Sequence, residues 1–145
     1  MKHLISSLAF VIGVAAVATP AFAQQSGALR VEFQGPGGHS SGAYGRVSAL
    51  HAAARAVILI QKALPAGSYQ ITNLTGGNSV NSIASDGLIE IKLTAPNAAA
   101  YKELVAAVTK AAADGAAAEN AFRGVKPGDL TSGAPATVRS FVKPH

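Results

Sequence analysis

The residues best suited to chemistry lie in two glycine-flanked stretches. The first, Gly35-Pro36-Gly37-Gly38-His39-Ser40-Ser41-Gly42-Ala43-Tyr44-Gly45, holds five glycines and a histidine. The second is Thr75-Gly76-Gly77-Asn78-Ser79-Val80-Asn81-Ser82. Gly37, Gly38, Gly76 and Gly77 let the backbone turn sharply and approach a ligand closely. The His39 imidazole can donate to a carboxylate or an oxyanion near neutral pH; the competing role is a surface histidine tolerated by a turn. The amides of Asn78 and Asn81 either read a ligand's polar groups or serve as turn residues that accept left-handed angles.

Other chemistries fit poorly. Gly38-His39-Ser40-Ser41-Gly42 matches G-x-S-x-G, but a serine hydrolase needs an acid and a further histidine, and only His51 and His145 follow. His51, with Arg55 one turn later, reads as a helix-surface residue rather than half of a metal pair. With no cysteine and only isolated carboxylates, no ligand spacing for a metal is present. A phosphate loop would place Lys and Ser or Thr after its last glycine, whereas Ala43-Tyr44 follows Gly42.

Both stretches follow strands. Leu29, Val31 and Phe33 alternate with Arg30, Glu32 and Gln34, which predicts a half-buried strand before the first. Tyr69 and Ile71, alternating with Gln70 and Thr72, predict a strand before the second. Between them, about Arg46 to Leu64 has helical period, with a stripe of Leu50, Ala53, Val57, Ile60 and Leu64. Ile58 and Leu59 fall outside this stripe, so the helix is apolar over more of its girth than one contact requires, implying a second packing partner. Ile89, Ile91 and Leu93 mark a third strand. Asn97 is the expected N-cap of a second helix with a stripe of Tyr101, Leu104, Val105, Val108 and Ala112, running to Ala121. Residues 122–145 are rich in glycine and proline and hold one short strand candidate, Thr137 to Val142.

This order predicts an α+β fold: a ferredoxin-like open-faced sandwich, with an antiparallel sheet of three or four strands and two helices on one face. In that topology the first two strands run parallel. Both glycine stretches then leave the same end of the sheet, where His39 and Asn81 can converge.

Residues 1–23 have the form of a signal peptide: Lys2 and His3, an apolar run from Leu4 to Val17, and Ala21-Phe22-Ala23 before the cut. The run is short of the roughly 20 residues of a membrane span. The expected product begins at Gln24, is periplasmic or secreted, and carries no stable span. Residues 24–121 then form one domain and 122–145 an irregular tail. Lys and Arg total 12 against 7 Asp and Glu, and the leader contains only Lys2 of these. The positive residues are scattered and not interleaved with aromatics, which argues against nucleic acid. An exported chain without cysteine must rely on its apolar core.

Together, Gly35-Pro36-Gly37-Gly38-His39-Ser40-Ser41-Gly42, the helix containing Ala49-Leu50-His51-Ala52, and Gly76-Gly77-Asn78-Ser79-Val80-Asn81-Ser82-Ile83 resemble the dimerisation (lid) domain of the zinc aminoacylase/carboxypeptidase family. That family includes glutamate carboxypeptidase, acetylornithine deacetylase and succinyl-diaminopimelate desuccinylase. The resemblance covers roughly Leu29 to Ala121. It implies paired lids, a catalytic domain holding two zinc ions, and a lid histidine and asparagine that contact substrate, matched by His39 and Asn81.

The sequence departs from the family at several points. Ala84 stands at the usual proline, Thr94 at an arginine, and Gly128-Asp129-Leu130-Thr131-Ser132-Gly133 resembles an exit segment without its arginine and proline. The spacing before the tail looks short for the usual fourth strand. There is no His-x-Asp motif and no glutamate pair. The expectation is therefore a stand-alone, exported lid that is not an enzyme, forms a homodimer, binds no cofactor itself and possesses a His39–Asn81 site for a small peptide or acyl-amino acid. The alternatives are a lid supplied in trans to a separate zinc hydrolase, which would bring the zinc, and a truncated remnant without activity.

Overall fold

The computed structural model describes residues 23–145. The apolar run of the expected leader lies outside the described residues.

The chain order is β1 (Gln25–Gln34), β2 (Gly38–His39), α1 (Ser40–Ala43), α2 (Ala49–Ala63), β3 (Tyr69–Thr75), β4 (Ser82–Ile83), β5 (Asp86–Ala95), α3 (Ala98–Phe122), β6 (Leu130–Thr131), β7 (Ala134–Pro135) and β8 (Arg139–Pro144). Four strands form the main sheet in the order β3-β5-β1-β8, with every neighbouring pair antiparallel. With α2 and α3 on one face, this is the expected ferredoxin-like sandwich. β1 and β3 flank β5 and run parallel to each other, so the chain leaves both at the same end of the sheet.

Alternation decides which face is buried. Leu29, Val31 and Phe33 lie opposite Ile91, Ile89 and Gly87 in the β1–β5 ladder, and Val31 also faces Val142 of β8. Burial removes the large apolar side chains from water, each contributing about 1.5–3 kcal/mol. Among the described residues no helix covers the other face, which is polar. There Arg30 pairs with Glu32 at 3.1 Å, Lys143 reaches Glu32 at 2.9 Å, and His145 lies 3.6 Å from Glu90.

Both long helices start at side-chain caps. Ser48 Oγ accepts the His51 N–H at 3.3 Å, and Asn97 Oδ1 accepts the Ala100 N–H at 2.9 Å. The α2 cap sets its start at Ala49, three residues beyond Arg46, where helical periodicity begins. Pro65, which disfavours helical angles in the residue before it, follows the helix end.

The buried face of α2 differs from the expected stripe. Its fully covered positions are Ala49, Ala52, Ala53, Ala56 and Ile60, whereas Leu50 and Val57 are only half-buried. Small residues win because α3 crosses very closely: a Cβ on Gly115 would stand 2.8 Å from both Ala52 O and Ala56 Cβ. α3 is thus the second partner implied by the apolar girth. The flank away from α3, with Leu50, Ala54, Val57 and Ile58, has no further helix against it among the described residues, and Ile58 is 52% exposed.

The fourth strand forms, as Arg139–Pro144, slightly beyond the expected Thr137–Val142. Asn120 sets its approach by clasping the Val138 backbone, accepting its N–H at 2.7 Å and donating to its carbonyl at 3.0 Å. The segment before it closes into the β6–β7 hairpin.

Candidate functional site

The two glycine stretches meet. Gly38 and His39 pair antiparallel with Ile83 and Ser82, and Ser40 donates its N–H to Asn81 O at 2.8 Å. Gly37, at φ +60, makes the turn that redirects the chain into β2. In the second stretch Gly76 permits a close approach, since a Cβ there would lie 2.5 Å from Asp86 O.

His39 N-caps the one-turn helix α1. Its Nδ1 accepts the Ser41 N–H at 3.3 Å and lies 2.9 Å from Ser41 Oγ. Nδ1 is therefore the acceptor, and the geometry assigns the proton of the neutral ring to Nε2. The ring is thus fixed as a donor at its free nitrogen. The Ser41 hydroxyl serves this cap, while the serine of the elbow-like motif, Ser40, opens α1 and donates its backbone N–H to Asn81 O.

The Asn81 backbone N–H donates to Ser79 Oγ at 3.2 Å, while its side-chain amide has no hydrogen-bond partner among the described residues. Asn78 is a turn residue: its Oδ1 accepts from Ser82 Oγ at 3.3 Å. The topology thus brings the strand that carries His39 against β4 and the turn with Asn81 that leads into it.

Beside this ladder is a cleft of about 500 Å³ whose walls include Arg46, His51, Arg123, Gly77, Ser79 and Ser82. Three features here escaped the sequence reading. Arg46 ties the loops together, donating from Nη1 to Gly37 O at 3.2 Å and from Nη2 to Ser132 Oγ at 3.0 Å. Glu119 is fully buried, yet its carboxylate accepts from Ser48 N–H at 3.1 Å, Arg55 Nε at 3.1 Å and Arg123 Nε at 3.3 Å. His51 Nδ1 stands 3.7 Å from the same carboxylate. A signal for Glu119 did exist, because it continues the Val108, Ala112, Ala116 stripe of α3 at helical spacing. Arg55 and Arg123 also each lie 5.0 Å from the Phe122 ring centroid, stacking a cation on either approach to it.

Among the described residues no group of three His, Cys, Asp or Glu is placed to hold a metal ion.

Residues 24–120 match the family model of the peptidase dimerisation domain, and the chain belongs to that family. Solved structures agree in fold. An aminobenzoyl-glutamate utilization protein from Klebsiella pneumoniae matches with TM-score 0.61 and 16% identity, over 88% of this chain and 31% of its own. A tripeptidase from Staphylococcus aureus matches with TM-score 0.60 and 17% identity, over 83% and 29%. An amidase of the hydantoinase/carbamoylase family from Burkholderia multivorans gives TM-score 0.60 and 19% identity, over 85% and 28%. The chain thus spans about three tenths of the length of these proteins. A comparison with curated protein sequences gave no match.

Proposed function

We propose that this chain is an exported, self-associating dimerisation module that holds a small peptide or acyl-amino acid at its His39–Asn81 end and performs no catalysis alone. One observation carries the self-association: the contrast between the two sheet edges. The β8 edge holds Arg139, Lys143 and Pro144, residue types that block edge-to-edge pairing. The β3 edge, Tyr-Gln-Ile-Thr-Asn-Leu-Thr, has neither charge nor proline. The half-covered flank of α2 lies on the β3 side of the molecule, because α3 takes the β8 side. Pairing of β3 with its two-fold copy joins two sheets and covers both flanks in one isologous contact.

Ligand binding is supported by the outward Nε2–H of His39 on β2 and the unengaged amide of Asn81 in the turn that enters β4. Calorimetry with an acetylated dipeptide tests it: wild-type protein binds, and His39→Ala does not. Export through the leader predicts that material recovered outside the cytoplasm begins at Gln24.

A second reading, a lid supplied in trans to a zinc hydrolase, draws on a separate observation. Tyr44 and Val80, in the two glycine stretches, and Leu130, in the β6–β7 hairpin, are 93%, 100% and 69% exposed. Zinc-dependent peptidase activity that appears only on mixing with such a partner would favour this reading, and mixing without effect would remove it.

A further inference from the structure

We propose that Arg46 is the anchor for the free carboxylate of the bound peptide or acyl-amino acid; this rests on the ligand-binding reading above and gives that site its charge requirement.

Arg46 and Arg123 line one cleft, and the one buried carboxylate beside it, Glu119, pairs with Arg123 and Arg55. That carboxylate is engaged by Arg55 and Arg123. Arg46 touches only neutral acceptors, Gly37 O and Ser132 Oγ. Its charge is therefore held in position without being neutralised.

Geometry supports the same assignment. Nη1 and Nη2 each spend one N–H on these tethers, and each retains another, as does Nε. A tethered planar fork loses little freedom on binding and fits a carboxylate bidentately. The tether to Gly37 also places Arg46 against the loop that carries His39.

Arg46 stands between two clefts. The wall of the first, beside the Gly77–Ser82 loop, includes no carboxylate. The second, of about 480 Å³, is walled by Tyr44, Val125 and Leu130, and its acidic member, Asp129, accepts the Lys126 N–H at 2.7 Å. A carboxylate seated on Arg46 can thus direct an adjoining apolar side chain towards Tyr44 and Leu130. The ligand class is a short acylated peptide with a free C-terminus and an apolar last residue.

Calorimetric titration of the purified full chain with N-acetyl-alanyl-leucine, with its C-terminal amide, and with inorganic phosphate tests the proposal. The acid binds, and the amide binds at least about tenfold more weakly. Arg46→Gln lowers affinity for the acid by about tenfold or more, and Arg46→Lys retains part of it. Lys102→Gln, which removes an exposed positive charge of α3 that lines neither cleft, binds as wild type, with circular dichroism confirming that every variant is folded. Equal binding of acid and amide, or an Arg46→Gln protein that binds as wild type, overturns the anchor. Should His39→Ala then abolish binding of both peptides, the site stands and only the anchor falls. If wild-type protein binds neither peptide, both fall. Phosphate that competes at the same concentration as the acid makes the cleft a general anion site and overturns the peptide assignment.

Discussion

Glu119 accepts the backbone N–H of Ser48 at 3.1 Å, across 71 residues of chain. In a capping box the glutamate lies three residues after the cap on the same helix. Here it comes from α3, so the start of α2 is completed only when the two helices dock. Arg55 and Arg123 hold the carboxylate from opposite helices. Docking of the helices, the position of Ser48 and the shape of the cleft beside it are therefore linked.

Replacing Glu119 by Ala breaks that link. It leaves the Ser48 N–H without its partner and two arginines facing one another. Removal of one member of a buried ion pair costs about 3–5 kcal/mol, and the lower end applies because both arginines reach solvent. Urea unfolding, comparing midpoints at constant slope, gives the value.

Gly115→Ala tests the close crossing. Alanine favours a helix over glycine by about 1 kcal/mol. Its Cβ would meet the Ala52 carbonyl and the Ala56 backbone nitrogen at 2.8 Å. Those are backbone atoms, so the helices must separate, and overpacking of this kind costs about 1–3 kcal/mol. The net effect is destabilisation, whereas the same substitution in a solvent-exposed helix stabilises.

The His39 ring should exist in the Nε2–H tautomer. Long-range nitrogen–proton correlation spectra at a pH where the ring is neutral distinguish Nδ1 from Nε2 directly. Ser41→Ala keeps the backbone donor and hence the tautomer. A ring protonated at Nδ1 would refute the capping geometry and the outward donor.

The open face of the sheet predicts an acid sensitivity. The hydrogen bond from Lys143 holds the Glu32 carboxyl below its ordinary range, with the charges of Lys143 and Arg30 acting in the same direction against desolvation. A carboxyl lowered on folding contributes stability above its unfolded value and loses it as pH falls through the folded one. The β1–β8 contact is therefore firmest near neutrality and weakens in acid. Lys143→Met should be less stable than wild type at about pH 7, and the gap should close towards about pH 3. Added salt should narrow it as well, because the pair faces solvent.

The legible parts of the fold were those governed by short periods. Leu29–Phe33 and Ile89–Leu93 alternate cleanly because each strand buries one face, and Asn97 stands where a cap was expected, whereas the Ser48 cap of α2 was not foreseen. The meeting of His39 with Asn81 followed from topology alone. The alanine face of α2 was not legible, since alanine marks burial only once the closeness of α3 is known. Arg46 was equally hidden: its partners Gly37 and Ser132 lie far apart in sequence, and the hairpin that presents Ser132 has strands of two residues each. The departure at Ala84 left the fold intact; Ala84 is buried, and its carbonyl accepts the Ala49 N–H at 2.9 Å at the start of α2.

The central claim is self-association through the uncharged β3 edge and the adjoining flank of α2. Sedimentation velocity on the purified protein, alongside Ile58→Glu combined with Thr72→Lys, tests it most directly. Twice the chain mass is expected for wild type and a folded monomer for the double variant. A wild-type monomer at every concentration, or a double variant that remains dimeric, would contradict it.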